Sequence, residues 1–275
     1  MIHPGTSPIF LLTDFGTADT YVGIVKAVIS SIAPFSPIVD LTHEVPPQDV
    51  RAGAFALMTA TPYLPDDAIV VAVVDPGVGT ERRPIAVQVG TRMFVGPDNG
   101  LLSWAVGDGA NAKIVVLDRA QFWLPNVSAT FHGRDIFGSV AAHLATSVSL
   151  SRVGTPTDAI VTIPFPGPQV TRDEADQIQS VTGEIIHADR YGNLISNLRT
   201  DDLPADPWVS IGKRVIAGVS PNYQAAGAGQ LIALIGSAGL LEIARPNGSA
   251  AKHLDVGVGA AVTITGGPTP PSPVS

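Results

Sequence analysis

The chain has 275 residues, 45% hydrophobic and 15% charged, with a formal net charge of −8 and no cysteine. That length allows one large or two modest domains with a sizeable core, while the negative balance argues against a general nucleic-acid or anionic-membrane binder, which wants a basic face. The missing cysteines exclude disulfides, thiolate metal sites and a cysteine nucleophile, and no apolar run approaches the roughly 18 residues of a membrane span, so with no secretory pattern at the start a soluble cytoplasmic protein is expected.

In chain order, residues 9–13 read as a strand that ends at Asp14, and 21–32 carry apolar residues at helical spacing. A second strand is expected at 38–41, then an Ala-rich helix over 50–60 with Asp49 as its cap. The run Ile69-Val70-Val71-Ala72-Val73-Val74 predicts a strand buried on both faces, as in a parallel sheet. Segments 85–89 and 93–95 flank a hairpin-like turn at Gly90-Thr91-Arg92. A short helix at 101–106, a strand at 113–117 and a helix at 136–146 complete the first part. Strands alternating with helices predict an α/β domain over 1–154 with a doubly wound, mostly parallel sheet. Residues 155–178 are Pro-rich and read as a linker or an extended crossover. Beyond them, short strands at 182–187, 194–198, 208–211, 231–235, 240–244 and 261–264 lie between turn residues. They predict a small all-β, barrel-like domain over 179–265, followed by a disordered Pro-rich tail at 266–275.

Asp75 ends the longest apolar run and is followed at once by Pro76-Gly77-Val78-Gly79. Ligands of open α/β sheets collect at the carboxyl ends of strands, so a carboxylate there is placed for chemistry. The same carboxylate also suits the plainer task of accepting loop N–H groups. Arg82 follows in the charged turn Glu81-Arg82-Arg83, and His132 stands in Phe131-His132-Gly133-Arg134-Asp135. An acid, a guanidinium and an imidazole in Gly-containing loops suit a site that handles a water or a proton. Asp14 ends the first strand, where a carboxylate serves either as a turn former or as an acceptor for ribose hydroxyls. Asp189-Arg190-Tyr191-Gly192-Asn193 is a turn by composition. Gly77-Val78-Gly79 lacks the third glycine of a dinucleotide fingerprint, no P-loop is present, and His43-Glu44 lacks the partner histidine of a zinc helix. His143 reads as a packed helix residue, while His3, His187 and His253 show no ligand spacing, so no metal is expected.

Five segments occur here in order: Leu12-Thr13-Asp14-Phe15-Gly16, Val74-Asp75-Pro76-Gly77-Val78-Gly79 with Arg82-Arg83, Gly96-Pro97-Asp98-Asn99-Gly100-Leu101, Thr130-Phe131-His132-Gly133-Arg134-Asp135, and Asp189-Arg190-Tyr191-Gly192-Asn193-Leu194-Ile195-Ser196-Asn197. Together they resemble the S-adenosylmethionine (SAM) hydroxide adenosyltransferase family, relatives of the SAM-dependent fluorinases and chlorinases. The resemblance implies hydrolysis of SAM to adenosine and methionine, with SAM as substrate and no cofactor. It implies Asp75, Arg82 and His132 as the catalytic set acting on a water. It implies ribose binding by Asp14, a methionine-ammonium contact from Asp189, adenine contacts from Tyr191 and Asn193, and substrate contacts from Asn99 and Arg245. Gly236-Ser237-Ala238-Gly239 resembles a loop that holds the methionine carboxylate, although halogenases tend to show Ser-Arg where this chain has Ser237-Ala238. Asp75 with Arg82 favours water over halide as nucleophile. A SAM-dependent halogenase and a non-catalytic SAM- or nucleoside-binding protein are the alternatives. The resemblance further implies a homotrimer with sites between subunits.

Overall fold

A computed structural model describes residues 6–107, 111–225, 227 and 229–269. The chain divides between Ile163 and Pro164 into two compact units.

The first unit is built on a seven-stranded sheet of order β2-β1-β3-β5-β4-β6-β7. Its strands are β1 (Ile9–Thr13), β2 (Ile38–Thr42), β3 (Ile69–Val73), β4 (Pro84–Val89), β5 (Arg92–Pro97), β6 (Ala112–Val116) and β7 (Thr155–Thr157). The pairs among β2, β1, β3 and β5 are parallel, and the β5–β4, β4–β6 and β6–β7 pairs are antiparallel. The antiparallel edge follows from the Gly90 turn, which joins β4 to β5 directly (φ +61°) instead of through a crossover.

Side chains of a strand alternate between faces, and both faces of this sheet are covered. Ile9, Leu11, Ile69, Val71 and Val73 pack with Val25 and Ile29 of α1 (Tyr21–Ile32) and with α4 (Ser139–Ala145). Phe10, Leu12, Val70 and Ala72 pack on the other face with Leu57 of α2 (Val50–Ala60) and residues beside α3 (Ser103–Val106). Double coverage is why β1 and β3 read as continuous apolar runs. Asp49 caps α2 as expected, its carboxylate accepting from the Ala52 N–H at 2.9 Å.

The second unit is an all-antiparallel, nearly closed sheet of order β12-β11-β15-β9-β10-β14-β13, with β8 paired to β9. Its strands are β8 (Gln169–Arg172), β9 (Ile178–Ala188), β10 (Leu194–Arg199), β11 (Trp208–Ile211), β12 (Arg214–Ala217), β13 (Ile232–Ile235), β14 (Leu240–Ala244) and β15 (Ala261–Thr265). An isolated bridge between Ser220 and Leu234 approaches closure between the two ends of the order. Its core gathers inward residues such as Val181, Ile185, Leu198, Val209 and Ile264.

Two expectations change. The stretch 155–178 is not a free linker. Its first part belongs to the first unit, where β7 pairs with β6 and Val161 N–H donates to Asp98 at 2.7 Å. Its last part carries β8, which lies on β9. Pro156 lies inside β7, which is the edge of its sheet, and Pro164, Pro166 and Pro168 lie between strands, so none interrupts a central strand, where a missing N–H would break the ladder. The helix expected over 136–146 begins earlier, as a π-helical turn over Gly133–Gly138. Of the expected disordered tail, residues 270–275 lie outside the described residues. Among the described residues no helix is long and apolar enough to cross a membrane.

Candidate active site

The order β2-β1-β3 places the first and second crossovers on opposite sides of β1. α1 packs on one face and α2 on the other. The β1–β3 edge is therefore a topological switch point, where a crevice opens outside the carboxyl ends of the strands. Thr13 and Val73 are level in register, so Asp14 and Asp75 emerge side by side there. A cleft of about 560 Å³ opens above them and is lined among others by Asp14, Phe15, Tyr21, Asp75, Phe131 and His132.

Asp75, Arg82 and His132 meet. Arg82 Nε donates to Asp75 Oδ1 at 2.9 Å and to Oδ2 at 3.0 Å. Arg82 Nη2 donates to the same Oδ2 and also to His132 Nδ1, the latter at 2.9 Å. The carboxylate and guanidinium side chains are only 5% and 9% exposed, so the pair is shielded and much stronger than a surface ion pair. The guanidinium carbon also lies 5.1 Å over the ring of buried Phe137. Arg82 is not itself among the cleft-lining side chains, whereas Asp75 and His132 are. It acts from beneath, holding the other two.

This arrangement decides the state of His132. A guanidinium only donates, so Nδ1 must be the unprotonated, accepting nitrogen and a neutral His132 carries its proton on Nε2. Burial and the neighbouring Arg82 cation both push the imidazole below its ordinary range, outweighing the nearby carboxylates. The cleft thus meets a neutral imidazole with an N–H donor.

The two loops that carry these groups are clamped together. Gly79 has φ +76°, and a Cβ there would stand 2.2 Å from the Ala129 carbonyl oxygen. Fully buried Asp135 accepts from Ser128 N–H at 2.7 Å and from Arg134 Nε at 2.5 Å, fixing the loop before His132. Phe15, Tyr21 and Phe131 form an edge-packed aromatic wall, with Tyr21 and Phe131 centroids 5.3 Å apart. Asp14 keeps one oxygen engaged by the Gln48 N–H at 2.8 Å.

Asn99 is held by the backbone around it. Its amide donates to the Val74 carbonyl at 2.8 Å and accepts from Leu101 N–H at 3.1 Å, so it braces the residue before Asp75 and does not line the cleft.

The second unit has its own cleft, of about 1040 Å³, where Asp189, Tyr191, Asn193 and Arg245 come together with Tyr223 and Gln224. Asp189 organises this wall. Its carboxylate accepts from Tyr191 N at 2.9 Å, Asn193 N at 2.8 Å and Asn193 Nδ2 at 3.0 Å. With about four acceptor positions on a carboxylate, three are used locally. Tyr191 stands 79% exposed, an open aromatic face. Arg245 Nε donates to the Gly229 carbonyl at 2.9 Å. Ser237 lies in the turn between β13 and β14 and is not among the cleft-lining residues.

Tyr223 and Glu242 escaped the sequence reading. The Tyr223 hydroxyl donates to Glu242 Oε1 at 2.7 Å. Burial, reinforced by Glu242, pushes the phenol up to about 12, and burial also raises the Glu242 carboxyl. A lone acid inside the apolar run Leu240-Leu241-Glu242-Ile243-Ala244 was the available signal; Tyr223 offered none. Among the described residues no group of three or more His, Asp or Glu side chains is gathered as a metal site. His143 packs edge-on to Phe122 at 5.2 Å, and His3 lies outside the described residues.

Comparison with known proteins matches both units of the chain to family models. The SAM hydroxide adenosyltransferase N-terminal domain model matches residues 9–154, and the C-terminal domain model matches 183–263. The chain is 39% identical to the (R)-S-adenosyl-L-methionine hydrolase of Thermus thermophilus, over 94% of this chain and 99% of that protein. It is 24% identical to the fluorinase of an Actinoplanes species, over 95% of this chain and 98% of that one. A crystal structure of an uncharacterized conserved protein from Thermotoga maritima superposes with a TM-score of 0.85 at 35% identity, covering 94% of this chain and all of that one. Both domains are matched in order and nearly the whole chain is covered: it belongs to the SAM hydroxide adenosyltransferase family.

Proposed function

We propose that this protein cleaves SAM with water at C5′, giving adenosine and L-methionine. The observation that carries the reading is the Asp75–Arg82–His132 arrangement at the switch-point cleft, in a chain whose hydrolase relatives are markedly closer than its fluorinase relatives. The leaving group is a neutral thioether, so departure needs no general acid and the chemistry needs no cofactor. The demand is to hold a weakly nucleophilic water in line with C5′, at about 3–3.5 Å. The neutral His132 offers its Nε2 proton to one lone pair of that water. Asp75 is the group left to take a water proton, since His132 Nδ1 is closed by Arg82. The second water lone pair forms the O–C5′ bond while the C5′–S electron pair returns to sulfur.

Asp14 takes the ribose hydroxyls in this proposal, and the Asp189–Asn193 wall with Tyr191 and Arg245 takes the rest of the substrate. The relatives' name specifies the (R) sulfonium, and we extend the proposal to that epimer. We also propose a homotrimer in which each site draws on the first unit of one subunit and the second unit of another. The support is that candidate residues fall in two separate clefts, one per unit, together with family resemblance; closed symmetry would make three equal sites.

The deciding experiment is turnover of separated SAM epimers in oxygen-18 water. We expect adenosine and methionine, faster from the (R) epimer, with label on the adenosine 5′ oxygen. Adenosine without label would overturn direct water attack, and halide-dependent formation of 5′-halogenated product would favour the halogenase reading.

A further inference from the structure

Thr13 and His43 are both buried, yet neither enters the chemistry above. Thr13 Oγ1 accepts from the Phe15 N–H at 3.2 Å and stands 2.8 Å from His43 Nδ1. The hydroxyl keeps a second lone pair, so it can donate to Nδ1 or accept from it, and the Asp40 carboxylate beside the ring selects the tautomer with the proton on Nε2, in which the hydroxyl donates to Nδ1. Nε2 lies 3.0 Å from Asp40 Oδ1, out of line for a hydrogen bond but close enough to favour the N–H tautomer electrostatically. Asp40 in turn pairs with Lys26 at 2.7 Å. Burial alone would raise the Asp40 carboxyl, but Lys26 and His43 outweigh it and hold it below its ordinary value. The His43 carbonyl meanwhile accepts from the Gly16 N–H at 2.8 Å.

His43 therefore grips the turn 13–16 twice, by side chain at Thr13 and by backbone at Gly16. Asp14 is the residue between those grips, and Gly16 closes the turn at φ +66°. We infer that the Thr13–His43 hydrogen bond is a positioning device for Asp14, setting where its carboxylate meets the substrate. The residues come from different elements: Thr13 from the end of β1, His43 and Asp40 from β2 and just beyond, and Lys26 from α1. The strand pair that opens the crevice is thus coupled to the group that binds in it. The inference rests on the reading of Asp14 as the ribose acceptor.

The test measures kcat and KM for SAM in the full-length protein. Thr13→Val keeps the strand shape and removes the hydroxyl. It removes the hydroxyl's bonds to both His43 and Phe15 and is expected to raise KM about three- to tenfold, with kcat changed less than about twofold. Thr13→Ser should restore KM. His43→Asn, whose amide reaches the Nδ1 position, should stay near wild type, and His43→Gln, which reaches only the Nε2 position, should behave like Thr13→Val. In an Asp14→Ala background Thr13→Val should add nothing. An unchanged KM in Thr13→Val, or full additivity with Asp14→Ala, overturns the positioning role while leaving the ribose assignment intact. An unchanged KM in Asp14→Ala overturns the ribose assignment and this inference with it. Thermal unfolding accompanies each variant, and if Thr13→Val does not fold, the His43→Asn and His43→Gln pair decides by the same criterion.

Discussion

Asp75→Asn keeps the shape of the side chain and removes both its charge and its basicity. It is expected to lower kcat by a factor of at least about a hundred, the range of a lost general base, with a much smaller change in KM. Single-turnover and steady-state rates of adenosine release check this. Asp14→Ala is expected to act on binding instead. Losing a charge-assisted acceptor costs about 1.5–3 kcal/mol, roughly ten- to more than a hundredfold in affinity, and calorimetric titration with SAM reads it directly. His132 carries a pH prediction. Its pKa is lowered by burial and by Arg82, so the imidazole stays neutral until pH falls below the ordinary histidine value. Protonation then sets an Nδ1–H against the Arg82 guanidinium and breaks the Arg82–His132 hydrogen bond. Activity should be flat through the ordinary imidazole range and fall only below it; an acid limb at or above the ordinary value would contradict this. Asp75, Arg82 and His132 were legible in sequence because each sits in a Gly-containing loop near a strand or helix terminus. The pairing of Arg82 with Asp75 follows from their chemistry, but its second contact to His132 was not legible, since only the fold shows that Arg82 lies beneath the cleft and bridges two residues that line it.

At the scale of elements, Gly79 joins two loops. Its φ is left-handed, and the Ala129 carbonyl oxygen lies 2.2 Å from where a Cβ would stand, which leaves no space for a methyl group. Gly79→Ala is expected to destabilise the protein by more than about 1 kcal/mol, because the native conformation is incompatible with a side chain. It should also cut activity by separating the Asp75–Arg82 loop from the His132 loop. Denaturant unfolding and kcat measured together check both effects, and a loss of stability with wild-type kcat would show that the loop contact does not set the site. Most elements were readable from period and punctuation. β7, β8 and β12 were not: β7 and β8 are short and bury no residue, and β12 buries only Ile216, so none carries an apolar alternation. The π-helical start at Gly133 was hidden for a different reason: Asp135, fully buried within it, accepts from the Ser128 N–H outside the helix, a pairing that apolar periodicity does not announce.

For the whole molecule, the two clefts make assembly testable. A mixture of Asp75→Asn and Asn193→Ala proteins, under conditions that exchange subunits, should regain part of the wild-type activity if a site takes one cleft from each of two chains. Native mass spectrometry on the same mixture reports exchange and should show three subunits. Exchange without recovery would place both halves of a site in one chain. The sequence by itself determined the α/β unit followed by a β unit, the family, and the acid, guanidinium and imidazole of the candidate site. These are local properties: apolar period sets element type, and strand ends with glycine punctuation mark where polar groups emerge. Tertiary structure alone decided which of those groups touch. It brought Arg82 to both Asp75 and His132 and fixed the imidazole tautomer. It turned Asn99 to the Val74 backbone, left Ser237 outside the second cleft, and placed Tyr223 on Glu242. The physical reason is that hydrogen-bond partners distant in sequence are selected by strand order and loop packing, and a buried polar group takes whichever partner the fold delivers.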